Sequence, residues 1–347
     1  MPGTGVTREG PAEGDPVEVP SAGDSEGASA GASMLVYRLA LATLWVAYLG
    51  VITGGVVTST ESGRVDKNWP SFGGNLLPSP SGMLDNPGLL VEHGHRLMMA
   101  SVGFLAALTC FAALKKERRL RVKVLSFVVV ALVFPPAILG GLTVWFKLPP
   151  ILSVLHVGMA MLFISAVTIL AVVTSPGWIG EKTRLKLSRA GPICSLALFA
   201  VLSIYVQIVL GAVPRHATLE PGGGGEALQT IGDLVHIVWA FAVFTVIVLL
   251  AGKVLSLSKA DRILHPSLGL LLLLFLQVFI GFATFIYQTP ASLVVDEAPG
   301  LVKTGTFEVL ASVHQAVGVL ILILAVVVCA RAYRIRFLSS AEPEAVL

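Results

Sequence analysis

The chain is predicted to be an all-α integral membrane protein of eight transmembrane helices, arranged as two pseudo-symmetric four-helix bundles. Three observations predict this. Hydrophobic residues make up 55% of the 347 residues and charged residues only 13%. With a mean hydropathy of +0.84, this composition excludes an ordinary soluble domain. Eight apolar runs have the roughly 20-residue length that crosses a bilayer core of about 30 Å, and none alternates as a barrel strand would. The runs also alternate in kind: odd-numbered runs carry glycine near one end, even-numbered runs carry histidine.

Residues 1–33 hold six acidic residues against one arginine among Gly, Ala, Ser and Pro. That composition predicts a disordered N-terminal extension, unlike a signal or mitochondrial transit peptide. The first run, 35–57, contains VITGGVVT with Gly54 and Gly55. A long loop of turn-forming residues follows, in which Trp69 is expected to anchor at the membrane interface. The second run, 92–114, opens EHGHR and carries His95; the third, 122–145, carries Gly140 and Gly141; the fourth, 151–174, carries His156. The same order recurs in the runs 192–213, 230–254, 264–287 and 307–331, with Gly211, His236, Gly281 and His314. Two halves follow, 34–175 and 190–335, with a cytoplasmic tail at 336–347. The glycines read in two ways, as close helix packing or as room for a flat macrocycle beside the histidines.

Lysine and arginine set the orientation. They gather in KKERRLRVK, EKTRLKLSR, the Lys253–Arg262 connection and the tail, which places both termini in the cytoplasm and all four histidines in the outer leaflet. The net charge of +3 calls for no nucleic-acid partner. Cys110, Cys194 and Cys329 match no metal motif and read as core residues.

An ionisable side chain inside a transmembrane helix is costly and reads as functional by default. Taken singly, each histidine could be a hydrogen-bonded structural residue; four at repeated depth point to two pairs. His95 with His156 and His236 with His314 are then axial ligands of haem iron. His93, His216 and His265 lack this repetition and are expected at surface or interfacial positions. Glu92 lies three residues before His95, on the same helix face, and Asp233 stands likewise to His236. Glu92 is either a charge at a helix start paired with Arg96 or a catalytic carboxylate beside an iron-bound imidazole. Arg96 and Arg215 are candidate partners for haem propionates.

GGVVTSTESG followed by WPSFGG, EHGHR, and single histidines in the fourth, sixth and eighth runs together resemble the haem A synthase family over residues 35–335. The resemblance implies an eight-helix oxidoreductase of the bacterial cell (inner) membrane, with its haem sites toward the outer face. It would oxidise the C8 methyl group of haem O to a formyl group, giving haem A for terminal oxidases. Haem b is implied as cofactor between His236 and His314, haem O as substrate between His95 and His156, and Glu92 as the catalytic residue. Membrane lipid, a haem O synthase and an electron donor are the implied partners. Some bacterial members carry a cysteine pair in the first outer loop, and this chain has none between Gly54 and His95. The alternative is a bis-histidine di-haem membrane cytochrome b acting only in electron transfer, which leaves the first-loop motif unexplained. A transporter working about a midplane site is disfavoured, because the histidines lie toward the outer face and no run looks broken.

Overall fold

Apolar runs of this length leave the backbone no solvent to bond, so helices are the only open-chain solution. The computed structural model describes residues 22–180, 187–217, 225–257, 261–288 and 303–340. Among them, eight helices are long and apolar enough to cross a membrane, and no extended sheet occurs, only an isolated bridge between Phe72 and Asn75. They are α1 (Ala22–Ser59), α2 (Pro87–Lys116), α3 (Leu120–Trp145), α4 (Pro150–Thr174), α5 (Leu187–Ala217), α6 (Gly225–Leu255), α7 (Asp261–Gln288) and α8 (Lys303–Ser340).

Three boundaries differ from the sequence expectation. Helix α1 starts at Ala22, inside the extension expected to be disordered, and its apolar span begins at Met34. Residues 1–21 and 341–347 lie outside the described residues. Helix α5 continues to Ala217, which places His216 on a helix. Helix α3, expected to be unbroken, is two rods, Leu120–Ala131 and Phe134–Trp145. Pro135 and Pro136 supply no N–H to the preceding turn, so the ladder stops before them.

Local chemistry sets other ends. The Asn86 side chain accepts from the Gly88 and Leu89 N–H groups at 3.0 and 3.3 Å, a cap worth about 1 kcal/mol that starts α2 at Pro87. On the side carrying KKERRLRVK, Arg119 pairs with Glu117 at 2.8 Å and donates to the Val173 carbonyl at 2.9 Å, tying the α2–α3 turn to the end of α4. The Arg119 hydrogen bonds, working against burial, hold the Glu117 carboxyl below its ordinary range.

Helix α1 packs on α2 and α4, and α3 packs on α2 and α4; correspondingly, α5 packs on α6 and α8, and α7 on α6 and α8. Helices α1, α4, α5 and α8 meet one another across the middle. One buried core runs through them, including Met161, Ile164 and Leu170 of α4 and Leu322 of α8. Phe104, Phe127, Phe241 and Phe279 are exposed, as side chains facing lipid are. All three cysteines are free, with Cys110 and Cys194 buried, as their core reading predicts.

Candidate functional site

Each of the four glycines near the ends of the odd helices stands against the histidine of its neighbour. A Cβ built on Gly54, Gly140, Gly211 or Gly281 would meet the imidazole Cε1 of His95, His156, His236 or His314 at 3.1, 3.2, 2.7 and 2.8 Å. The missing side chain therefore makes room for the imidazole itself. The second glycines are not equivalent. A Cβ on Gly55 would meet the Gln315 amide, and one on Gly141 would overlap the Trp69 indole at 2.4 Å.

The odd helices also orient the rings. His156 Nδ1 lies 2.8 Å from the Pro136 carbonyl and His236 Nδ1 3.1 Å from the Gln207 carbonyl. A carbonyl only accepts, so in each ring Nδ1 carries the hydrogen and Nε2 the lone pair, as a metal ligand requires. His95 Nδ1 lies 3.1 Å from the Thr53 hydroxyl, which itself donates to the Gly50 carbonyl at 2.9 Å. His314 stands likewise to the Gln277 backbone, with its Nδ1 outside hydrogen-bond geometry.

His236 and His314 face one another, with ring centroids 6.2 Å apart and planes at 72°. Two opposed imidazoles bound to one metal at about 2.0–2.1 Å per bond have centroids about 6 Å apart. The spacing and the His236 tautomer therefore fit a bis-histidine haem iron. Gln207 and Gln277, which sequence reasoning passed over, each place Nε2 3.2 Å from the Nε2 of His236 and His314 respectively. Their signal was visible, since glutamine precedes glycine by four residues in both QIVLG and QVFIG.

Around the first pair the outer loop is fastened to α2. Glu92 is 2% exposed; its Oε1 is 2.5 Å from Arg96 and its Oε2 accepts from the Asp66 N–H at 2.9 Å. Both carboxylate oxygens are thus engaged, and the ion pair with Arg96 weighed from the sequence is present. Arg96 also donates to the Asp66, Asn68 and Ser71 carbonyls at 2.9–3.0 Å, so its guanidinium faces the loop. Asp66 is 5% exposed and meets His93 Nε2 at 2.9 Å. Burial works against its charge, but hydrogen bonds from the Asn68 and Gly73 N–H groups, His93 and the Asn68 amide hold its carboxyl down at about 2. Asp233, the counterpart of Glu92, instead accepts from Gln288 of α7 at 2.9 Å.

Two sequence expectations are corrected here. His93 is buried by Asp66 and stacked edge-on against Phe72 at 5.0 Å, so it is no surface residue. His216 is buried within α5; only His265 is exposed as expected. Trp69, expected at the membrane interface, packs on Gly141 and, edge-on at 5.5 Å, on Trp145 at the end of α3. Arg215 reaches from α5 to α1, donating to the Gly55 carbonyl at 2.9 Å and to Ser59 Oγ at 2.6 Å. Beside it, Ser59 meets Ser312 at 3.1 Å, and Gln315 donates to the Val51 carbonyl at 3.3 Å.

A family described as cytochrome oxidase assembly protein matches residues 37–219, which include His95 and His156. A haem A synthase of Alkalihalophilus pseudofirmus is 27% identical over 179 residues, 50% of this chain and 58% of the relative. One from Caulobacter sp. (strain K31) is 33% identical over 138 residues, 37% of this chain and 40% of the relative. One from Staphylococcus aureus (strain bovine RF122 / ET3-1) is 24% identical over 255 residues, 70% of this chain and 82% of the relative. The chain thus spans about half the length of the first of these relatives and most of the last.

Proposed function

The chain belongs to the cytochrome oxidase assembly protein family, and on that premise we propose that it is a haem A synthase. It is a multi-pass membrane protein, which we read as two pseudo-symmetric four-helix halves with both termini cytoplasmic and the histidines toward the outer face. The reaction proposed is oxidation of the C8 methyl group of haem O to a formyl group by two successive hydroxylations, after which the gem-diol loses water. Each hydroxylation consumes dioxygen, two protons and two electrons from an external donor and releases water. The observation that carries this reading is the asymmetry between the pairs. His236 and His314 stand 6.2 Å apart, while the His95 helix carries a carboxylate cluster and a fastened outer loop.

We assign His236 and His314 to haem b, which supplies one-electron transfer when bound. The Gln207 carbonyl keeps Nε2 of His236 available as ligand. His95 and His156 hold the substrate haem, oriented through Thr53 and Pro136. Glu92 is assigned as the catalytic carboxylate, one turn outward of His95 and paired with Arg96, handling protons at the substrate methyl. Glu92→Gln keeps an acceptor for the Asp66 N–H, so a loss of conversion of about 10²-fold or more with the substrate haem still bound would separate proton handling from loop fastening. Unchanged conversion would remove Glu92 from the chemistry.

The reading is tested by expressing the chain in cells that make haem O and no haem A, then extracting and separating the pigments. Haem A that appears only with the intact chain is the expected result. Unchanged haem O beside a bound haem b would establish the electron-transfer cytochrome instead.

A further inference from the structure

A groove of about 200 Å³ opens between α1, α4 and α8, lined mostly by apolar side chains. Tyr37, Ser175 and Arg331 lie at one end of it, Trp45 and Leu320 at the other. It runs about 12 Å along α1 and about 16 Å along α8, the depth of one leaflet of a bilayer core about 30 Å thick. Its polar end is remote from the histidines: on α8, Arg331 lies about 25 Å beyond His314.

That end is ringed by arginines. Ser175 leads into one helical turn, Pro176–Ile179, and the Trp178 indole lies under the Arg334 guanidinium, 5.4 Å from it. Arg262 donates to the Gly177 carbonyl, and Arg331 to the Arg262 carbonyl at 2.6 Å. Arg334 follows Arg331 by one turn on the same face of α8, and its Nε is buried with no hydrogen-bond partner. A buried donor on a charged group is costly to leave without an acceptor, and an anion is the acceptor that answers it.

We propose that this groove binds an anionic phospholipid from the leaflet opposite the histidines. One acyl chain lies between α1, α4 and α8, and the phosphate sits on Arg331 and Arg334. Guanidinium groups pair with phosphate oxygens through two parallel hydrogen bonds, and basic pockets between spanning helices select acidic headgroups. A free phosphate would leave the apolar groove unfilled. A zwitterionic lipid would bring its own ammonium group among the arginines. The site is independent of the haem reading, being remote from both histidine pairs.

The test reconstitutes the purified chain in phosphatidylcholine vesicles. Either added phosphatidylglycerol or a matching share of the phosphatidylcholine carries bromine on its acyl chains. Bromine quenches the fluorescence of a tryptophan it touches, and Trp45 lines the groove. Phosphatidylglycerol is expected to be preferred about fivefold or more, the worth of one cation near a membrane surface. Trp45→Phe should remove this extra quenching. Arg331→Gln with Arg334→Gln should make the two lipids equal, whereas Arg331→Lys with Arg334→Lys should keep part of the preference. Gln and Lys both retain a donor for the Arg262 carbonyl, so a difference between them reports charge and not packing. Equal quenching by the two lipids in the wild-type chain would overturn the proposal. So would a preference that survives in Trp45→Phe or in the double Gln variant. Complete loss in the double Lys variant would also overturn it, marking a packing role for the arginines.

Discussion

At Gly211 and Gly281 an added methyl group would come within 2.7 and 2.8 Å of an imidazole carbon, closer than packed atoms approach. Overpacking of this kind costs about 1–3 kcal/mol, and here the strain would fall on the ring that must hold a metal. Gly281→Ala is expected to displace His314, whose Nδ1 lies outside hydrogen-bond geometry, and to lower retained haem roughly tenfold or more. Gly140→Ala, at 3.2 Å from a ring fixed on the Pro136 carbonyl, should have a milder effect. Haem-to-protein ratios of the purified variants decide between these outcomes. At this scale the sequence pattern showed which residues repeat, and it left the reason open between helix packing and a macrocycle. The glycines serve the imidazoles, a third answer that depends on distances no pattern carries.

The first outer loop behaves as one element because Asp66, Glu92, His93 and Arg96 fasten it to α2. Asp66 has its carboxyl depressed from 3.8 to about 2. A depressed acid contributes stability that is present above its unfolded value and lost as pH falls through its folded value. The Asp66 share of the fastening should therefore be full above about pH 4 and be lost toward 2, by on the order of 2 kcal/mol. Asp66→Asn should loosen it most above about pH 4 and little near pH 2, where Asp66 is itself protonated. Amide hydrogen exchange of residues 62–75 follows both effects, and protection in Asp66→Asn equal to wild type would contradict them. The eight spans were legible because length and apolarity are local properties of the chain. This fastening was not, since its bonds join residues 26 to 30 positions apart. The break in α3 had a visible signal in Pro135 and Pro136, but the apolar run passes straight through it. His216 was misplaced for a related reason: the apolar run ends at 213, while the helix goes on to Ala217.

Across the whole molecule the two histidine pairs are expected to separate by experiment. His236→Ala or His314→Ala should remove the haem that the purified chain retains. His95→Ala or His156→Ala should leave that haem in place and abolish conversion of haem O. Absorption spectra and extracted pigments from the four variants check this, and loss of the retained haem from all four would refute two separate jobs. The halves nevertheless meet at α1 and α8, where Arg215, Ser59, Ser312 and Gln315 bridge the seam. There Gly54 lies against His95 and Gly55 against Gln315, the residue after His314. Two neighbouring residues of one helix are thus answerable to different sites, back to back, with no side chain between them. Any side chain admitted at either position would crowd one site and, through a shift of α1, disturb its neighbour. A single change at this glycine pair therefore reaches both sites, and neither can be reshaped there alone.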